Sequence, residues 1–298
     1  MKLKLLLATI FGAVAVNGAV AGTYCPPPAQ YDKCPVECSP DSPGYVGVSY
    51  MSDYIFRGVR YARDTVGMHA SYTIDSCIIP VTLGVNHYSS LSSNNPGNRL
   101  GGPNAGGDHN NLYAAVELPS VYGFDLGLRY DHYFYPNWRT PTGAPGNGDS
   151  HGALGLTISR EILCGLTLAY TAQHDFNSPS AQLPFGNSST DNGAWIHTID
   201  LSKSFSITDC VSLDLRGGVL YTDNMWAGGS GSQRSAGWNN YYMEAALPIA
   251  IGRCATLSPY IGYNGTPDSW LADGVPNGIP GANANDAFHG GVRLGVKF

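Results

Sequence analysis

Charged residues are scarce in this sequence of 298 residues: Asp, Glu, Lys and Arg together make up 13% of it, against about 25% in an average soluble protein. Long apolar runs are also missing. No window after residue 21 holds the roughly 18 consecutive apolar residues that a membrane-spanning helix needs. If the chain spans a membrane it must do so as a closed β-barrel, because only helices and closed barrels satisfy every backbone hydrogen bond in lipid.

Residues 1–21 predict a secretory signal peptide. Two lysines precede the apolar run 5–16, and Ala19-Val20-Ala21 forms a small-residue cleavage site. The predicted signal holds two of the 16 basic residues and no acidic one, so the mature chain has 16 − 2 = 14 basic and 22 acidic residues, a net charge of 14 − 22 = −8. This acidic balance argues against nucleic acid as a partner.

The mature chain divides into two predicted parts. Residues 22–43 are rich in proline and cysteine, and we predict no packed element there. Residues 44–298 contain segments that alternate polar and apolar side chains, and most are about 9 to 12 residues long, as tilted membrane strands are. We predict twelve such strands, at 45–59, 65–75, 79–89, 111–119, 124–135, 151–161, 166–176, 194–206, 211–222, 239–250, 256–264 and 287–298.

The connections between these strands alternate in length. Tight turns follow the even-numbered strands, around Ser76, Tyr122, Leu163, Thr208 and Arg253, whereas long polar loops follow all but one of the odd-numbered strands. Short turns on one side and long loops on the other are typical of outer-membrane barrels. The sequence therefore predicts an all-β fold, a transmembrane antiparallel barrel of about twelve strands in the bacterial outer membrane, with short periplasmic turns and long extracellular loops.

The last predicted strand, 287–298, has one apolar face and one cationic face, which suits a wall between lipid and water. We expect the strands at 256–264 and 45–59 to be its neighbours. Because this strand ends on an aromatic residue, Phe298, we expect it to be the segment that the barrel-assembly machinery engages. The side chains expected to face lipid are Phe288, Val292, Leu294, Val296 and Phe298, and those expected on the opposite face are His289, Arg293 and Lys297.

Side-chain parity assigns ten charged residues to the barrel interior, and we expect Arg293 to face Asp53 and Arg57 there. These residues either line an aqueous path whose field selects solutes or pair across the lumen and close it. A twelve-stranded barrel is intermediate in width between eight-stranded barrels, which side chains fill, and sixteen-stranded porins, which are open. Its width therefore does not decide whether the lumen is open or closed. In an open path the acidic excess favours cations. The candidate pore-lining residues are Asp53, Arg57, Glu117, Asp125, Arg129, Asp131, Asp214, Arg216, Glu244 and Arg293.

Three short segments resemble a known family. The first strand reads Ser-Asp-Tyr-Ile-Phe-Arg-Gly over 52–58, the fifth reads Tyr-Phe-Tyr-Pro over 133–136, and Val-Glu-Leu at 116–118 resembles the acidic strand of the same family. These motifs are similar to those of the TorF-type porins, bacterial outer-membrane barrels, and the resemblance covers about residues 45–175. It implies a porin-like barrel, and the cysteines of this chain depart from it.

The seven cysteines fall into two groups, and the exported location permits disulfides. Neighbouring turns lie roughly 9 to 10 Å apart, beyond the roughly 7 Å between bridgeable Cα atoms, so direct bridges between turns are disfavoured. We expect the N-terminal cysteines to bridge to the turn cysteines across the periplasmic mouth; the alternative is a local bridge between Cys34 and Cys38. The N-terminal group is Cys25, Cys34 and Cys38, and the turn group is Cys77, Cys164, Cys210 and Cys254.

Few residues point to catalysis or metal binding. His87 and Ser89 are similar in spacing to the His-x-Ser arrangement of outer-membrane lipid A deacylases, but the next acidic residue is Asp108. His132, His174 and His197 form no compact ligand motif, and parity turns all three outward, which favours an aromatic belt over a metal site. Trp238, Tyr241 and Tyr242 are predicted to belong to the same belt. We predict no metal and no cofactor.

The sequence as a whole predicts a porin-like channel for passive diffusion of small polar solutes or ions, and not an enzyme. Its expected partners are outer-membrane lipid, the barrel-assembly machinery and small polar solutes. Two alternatives stay open at this point. One is a closed barrel with a structural or surface-binding role through its long loops, and the other is an outer-membrane lipid hydrolase.

Overall fold

The computed structural model of the chain describes residues 43–75, 79–91, 108–135, 149–176, 194–227, 234–252, 254–266 and 287–298. The predicted signal peptide, the N-terminal cysteines, Cys77 and most of the predicted long loops lie outside these residues. Within the described ranges, no helix has the length and apolar character needed to cross a membrane.

The described residues form one closed antiparallel barrel of β-strands. β10 and β11 share one position between β9 and β12, and β13 pairs with both β12 and β1, so the sheet closes with twelve strand positions. The predicted barrel is thereby confirmed. The strands are β1 (Gly44–Phe56), β2 (Val59–Ile74), β3 (Val81–Ser90), β4 (His109–Val121), β5 (Phe124–Tyr135), β6 (Asp149–Leu163), β7 (Leu166–Phe176), β8 (Ala194–Thr208), β9 (Val211–Ala227), β10 (Arg234–Ala246), β11 (Ile249–Ala250), β12 (Ala255–Gly265) and β13 (Ala287–Lys297).

Tight turns join strands at one rim of the barrel, which we call the turn rim. In the turn Tyr122-Gly123 both residues have positive φ, 53° and 76°, and in Cys164-Gly165 the values are 42° and 79°. Two consecutive positive φ angles match the two-residue hairpin turns that follow the natural twist of antiparallel strands. Gly44 and Phe298 exchange two backbone hydrogen bonds at this rim, of 2.9 and 3.0 Å. The opposite edge is the loop rim.

Pro248 divides the predicted strand 239–250 into β10 and β11. Proline has no N–H to donate, so it interrupts a ladder inside a sheet. Backbone groups around it restore the pairing: the Leu247 N–H donates to the Pro259 carbonyl at 2.9 Å, and the Ser212 N–H donates to the Pro248 carbonyl at 3.1 Å. The wall of the barrel therefore continues past the proline.

The outer surface of the barrel is apolar around its whole circumference. Every one of the twelve strand positions exposes at least one large aliphatic side chain or methionine, and a contiguous apolar surface of this extent marks a membrane-facing region. This apolar belt consists of Val46, Val48, Met68, Leu83, Val85, Leu112, Leu128, Leu154, Leu156, Leu168, Ile199, Leu215, Met243, Ile261, Leu294 and Val296.

β13 pairs with β12 and β1, the two strands expected to be its neighbours. The apolar residues Phe288 and Phe298 are exposed at its two ends, and Arg293 lies on the opposite face. In β8, His197 lies opposite Tyr221 and Lys203 opposite Leu215, so both polar residues share the apolar outer face of the strand. The Lys203 ammonium lies 4.9 Å from the Phe205 ring centroid, which accommodates its charge there.

Gly291 of β13 tests whether this closure holds the barrel together. Its Cβ position points at the Tyr50 carbonyl oxygen of β1, so a side chain there must push the two strands apart. We expect Gly291→Val to lose the compact, unboiled form on cold SDS gel electrophoresis, because the seam between the first and last strands cannot close. Val292→Leu, one residue away on the other face, should keep it. Equal folding of the two variants would contradict the closure described here.

Candidate functional site

The hairpin formed by β1 and β2 leaves the barrel wall partway along its length. Pairing of β1 with β13 ends where Met51 lies opposite Gly291, and pairing of β2 with β3 ends where Thr65 lies opposite Ser90. Beyond these points the described partners of the two strands are each other. We call residues 52–64 the inner hairpin.

Asp64 and Ser52 fix the bend at which the inner hairpin begins. Asp64 has φ of 47°, a left-handed conformation that aspartate tolerates better than most residues. Its carbonyl accepts a hydrogen bond from the Leu91 N–H at 2.8 Å, and its carboxylate accepts one from the Tyr50 hydroxyl at 2.8 Å. On the other strand the Ser52 hydroxyl accepts the Gly290 N–H at 3.0 Å. Both strands are therefore held to the wall where they leave it.

The tip of the inner hairpin is a two-residue turn, Arg57-Gly58, with φ of 53° and 79°. The sequence had predicted strands at 45–59 and 65–75, which leaves residues 60–64 to connect them. That boundary was wrong: β1 ends at Phe56 and Val59 begins β2. The sequence does not indicate this turn, because its first position is Arg57 and arginine seldom adopts the positive φ that such a turn requires. The first connection at the loop rim is consequently the tightest one there among the described residues.

Arg57 ties the tip to the far side of the barrel. Its guanidinium donates two hydrogen bonds to the Asp175 carboxylate of β7, at 2.5 and 2.9 Å, and one to the Gln173 side chain at 3.3 Å. The Asn239 amide of β10 donates to the Arg57 carbonyl at 2.6 Å. Since β7 lies about half a circumference from β1 and β2, the inner hairpin crosses the lumen. The Arg57 and Asp175 side chains are both only 7% exposed.

An aromatic cluster supports the inner hairpin from below and beside it. The Tyr54 ring stacks on Tyr88 with centroids 4.5 Å apart, and the Phe56 ring packs against Tyr133 at 5.7 Å. The Tyr54 hydroxyl and His109 Nδ1 share a hydrogen bond of 2.6 Å, and His109 is 1% exposed. These rings come from β3, β4 and β5 as well as from the hairpin, so the tip is packed on several strands at once.

Five further ion pairs among the described residues lie on the inner side of the barrel, between the inner hairpin and the turn rim or on the hairpin itself. Each joins an arginine to a carboxylate and involves at least one predicted pore-lining residue, and two of them combine two such residues. The closest nitrogen to oxygen distances are 2.8 Å for Arg60–Asp53, 3.8 Å for Arg63–Asp53, 2.8 Å for Arg129–Asp131, 3.2 Å for Arg216–Asp200 and 2.7 Å for Arg293–Glu244.

The partner of Arg293 differs from the one expected. Arg293 makes two hydrogen bonds to Glu244, at 2.8 and 2.7 Å, and its guanidinium lies 3.9 Å from the Tyr260 ring centroid. Asp53 pairs instead with arginines of the inner hairpin, and Arg57 pairs with β7. The expectation failed because it treated β1 as a straight strand in the wall, whereas the bend carries Asp53 and Arg57 away from β13.

The other three predicted pore-lining acids lie toward the turn rim. Glu117 is near the end of β4, and Asp125 and Asp214 are near the starts of β5 and β9. Asp125 accepts a hydrogen bond from Ser120 at 2.5 Å, and Asp214 accepts one from Ser204 at 2.6 Å. The structure does not bring these acids together with the arginines of the inner hairpin.

Asp175 and Asp200 are site residues that sequence reasoning missed. Both were inside predicted strands, and parity would have turned them inward, opposite His174 and Ile199. Alternation alone therefore places both carboxylates inside the barrel. Asn239, the other anchor of the tip, is an extra residue at a bulge in β10, which simple alternation cannot place.

The His87 and Ser89 pair does not form a hydrolase arrangement. Ser89 donates a hydrogen bond directly to the Asp108 carboxylate at 2.8 Å, and His87 Nδ1 shares one of 2.7 Å with the Asn110 side chain. In a catalytic triad the histidine lies between the serine and the acid. Among the described residues, no group of three or more His, Cys, Asp or Glu side chains is placed to hold a metal ion.

The outer aromatic belt near the loop rim contains the predicted histidines. His174 packs on Trp195 with centroids 4.8 Å apart, and His197 shares a hydrogen bond of 2.7 Å with the Tyr170 hydroxyl. Trp238 is exposed, as expected for the belt. Tyr242 was assigned to the belt wrongly: its hydroxyl bonds Asp200 and its ring lies under Arg216, because neighbouring residues of a strand face opposite sides.

Removing one partner of the Arg57–Asp175 pair should destabilise the barrel. Arg57→Ala leaves the buried Asp175 carboxylate without its arginine, which costs about 3–5 kcal/mol for a buried pair. We expect a lower urea midpoint for the variant refolded in lipid vesicles. The double variant Arg57→Met with Asp175→Leu replaces both charges by apolar groups and should lose far less. Stability of Arg57→Ala equal to that of the original protein would contradict the tie across the lumen.

No family model matches the chain, and no curated protein matches its sequence. The similarity to TorF-type porins therefore stays a prediction. Solved structures do match. An outer membrane channel from Pseudomonas putida F1 is 12% identical, with 90% of this chain and 100% of that chain covered and a TM-score of 0.50.

The NanC porin is 10% identical, with 86% of this chain and 98% of that chain covered and a TM-score of 0.47. The KdgM porin is 7% identical, with 85% and 99% covered and a TM-score of 0.45. The likeness to the Pseudomonas channel concerns the fold. This chain has the fold of bacterial outer-membrane β-barrels, and its continuous apolar belt places it in that membrane.

Proposed function

We propose that this protein is a porin-like channel for passive diffusion of small polar solutes or ions, narrowed by the inner hairpin toward the loop rim. The observation that carries the proposal is the exposure of three interior arginines. The side chains of Arg129, Arg216 and Arg293 are 44, 58 and 44% exposed although they lie inside the barrel. A lumen filled by side chains would bury them as it buries Arg57. This exposure supports a water-filled space between the turn rim and the inner hairpin.

The inner hairpin sets the size of what can pass. It spans the lumen from β1 and β2 to Asp175 on β7 and Asn239 on β10. A solute must move beside it, so the proposed channel suits small solutes. The same hairpin favours a second candidate, a barrel that is closed at this level and acts through its loops. Conductance separates the two, because only the first conducts.

Single-channel recording in a planar bilayer tests the proposal. We expect small conductance steps from the original protein, and larger ones from Asp175→Asn, because the weakened tie to Arg57 lets the hairpin move aside. Asp209→Asn makes the same chemical change in an exposed turn at the turn rim and should leave the steps unchanged. If neither the original protein nor Asp175→Asn conducts at any voltage, the closed barrel is correct.

We also propose that disulfides join the segment 22–43 to the turn rim, at the periplasmic mouth. Cys164 and Cys210 lie in turns of that rim, and Cys254 precedes β12 beside the chain terminus, where its carbonyl accepts the Lys297 N–H at 2.9 Å. Their proposed partners are Cys25, Cys34 and Cys38.

Peptide mapping without reduction checks the cysteine proposal. We expect peptides that contain Cys164, Cys210 or Cys254 to be recovered linked to peptides from 22–43, because direct bridges between turns are too long. Blocking free thiols before digestion controls for exchange during handling. Recovery of all three turn cysteines as blocked free thiols would contradict it, as would a local bridge between Cys34 and Cys38.

A further inference from the structure

The ion pairs of the lumen are asymmetric in their contact with water. In each pair that lies between the inner hairpin and the turn rim, the arginine is more exposed than the acid. The fractions are 44% against 5% for Arg129 and Asp131, 58% against 12% for Arg216 and Asp200, and 44% against 25% for Arg293 and Glu244. A solute in the lumen therefore meets guanidinium groups before it meets carboxylates.

Local contacts hold this arrangement in place. The acids are drawn to the wall by further donors: the Asn111 amide donates to Asp131 at 2.8 Å, and the Tyr242 hydroxyl donates to Asp200. The arginines lie over tyrosine rings, with distances to the centroid of 3.9 Å for Arg129 on Tyr113, 5.6 Å for Arg216 on Tyr242 and 3.9 Å for Arg293 on Tyr260. Stacking on a ring face leaves N–H groups at the edge of the guanidinium available to a ligand.

The ion pairs of the lumen carry a net positive charge although the whole chain is acidic. They contain six arginines and five acids, a balance of 6 − 5 = +1 within the pairs: Arg57, Arg60, Arg63, Arg129, Arg216 and Arg293 with Asp53, Asp131, Asp175, Asp200 and Glu244. Asp64, at the base of the inner hairpin, is not part of these pairs, and its carboxylate accepts the Tyr50 hydroxyl. The unmatched acids Glu117, Asp125 and Asp214 lie nearer the turn rim. The net charge of the whole chain is therefore a poor guide to the electric field in the narrow part of the lumen. Walls of low dielectric constant concentrate that field in the lumen.

A cavity of about 250 Å³ beside Arg293 offers a place for a small solute. Tyr45, His69, Asn86 and Tyr113 contribute to its lining together with Arg293. This combination of a cation, hydroxyl groups and an amide suits a carboxylate that also carries hydroxyl groups. Each terminal nitrogen of Arg293 already donates one N–H to Glu244, so a solute carboxylate would accept from N–H groups of the guanidinium that Glu244 does not use.

We propose that the lumen selects anions over cations and that small carboxylate-bearing solutes bind at the exposed arginines. This inference rests on the proposed channel function. It reverses the preference for cations expected from the acidic composition, because the interior acids are turned toward the wall and the arginines toward the water. Anion selection by fixed cationic side chains is the usual basis of anion-preferring pores.

The reversal potential in a potassium chloride gradient measures this selectivity. We expect a chloride to potassium permeability ratio above unity for the original protein. The triple variant Arg129→Gln, Arg216→Gln, Arg293→Gln should bring the ratio below unity, whereas the corresponding triple change to lysine, which keeps the charge, should hold it above. Lys203→Gln removes one positive charge from the lipid-facing side and should leave the ratio unchanged.

The outcomes separate this inference from the channel itself. A conducting protein that prefers potassium would overturn the inference and leave the channel standing, as would a glutamine triple variant with an unaltered ratio and a normal cold SDS gel band. Absence of conductance from the original protein, the lysine triple variant and Asp175→Asn would overturn both. Sodium gluconate in place of chloride should reduce the current in the original protein more than in the glutamine variant if carboxylates bind at the arginines.

Discussion

The interior of this barrel depends on one ion pair, Arg57 with Asp175, which joins the tip of the inner hairpin to the opposite wall. Both side chains are nearly excluded from solvent, and a buried charge without its partner is unfavourable. The tip is therefore fixed as long as both residues are present. β1 and β2 leave the wall so that Arg57 can reach Asp175, and the lumen is narrow where they cross it. The same contact brings the rings of the aromatic cluster together. It also takes Asp53 and Asp175 away from the arginines nearer the turn rim, which pair with other carboxylates.

The second organising feature is the layering of charge along the lumen wall. Carboxylates lie against the strands under additional donors, while the longer arginine side chains extend over tyrosine rings toward water. Because the two groups of each pair differ in exposure, the pair does not present a neutral surface to the lumen. The arrangement explains how a barrel with an acidic sequence can present cations to a solute, and why composition is a poor guide to selectivity when acids and bases differ in exposure.

The wall of the barrel could be predicted from the sequence because it follows local rules. Alternation with a period of two placed the strands, turn residues marked the turn rim, and parity turned Glu244 and Arg293 to one face. The inner hairpin could not be predicted in the same way. Arg57 and Asp175 are 118 residues apart in sequence, and no pattern in either segment indicates that the two residues pair. Pairing across a lumen depends on where a strand bends, and Asp64 with positive φ gives that bend without a glycine to mark it.

The most direct test of the account is the position of the inner hairpin in the folded protein. A photoreactive azidophenylalanine at Phe56 replaces one aromatic ring by another of similar size. In the membrane-embedded protein, irradiation should link it to the peptides of β4 or β5 that carry His109 and Tyr133, whose rings lie 5.2 and 5.7 Å from Phe56. Mass spectrometry after digestion identifies the partner. A label that reacts with those peptides supports a hairpin folded into the lumen, and a label that reacts only with water or lipid would contradict it.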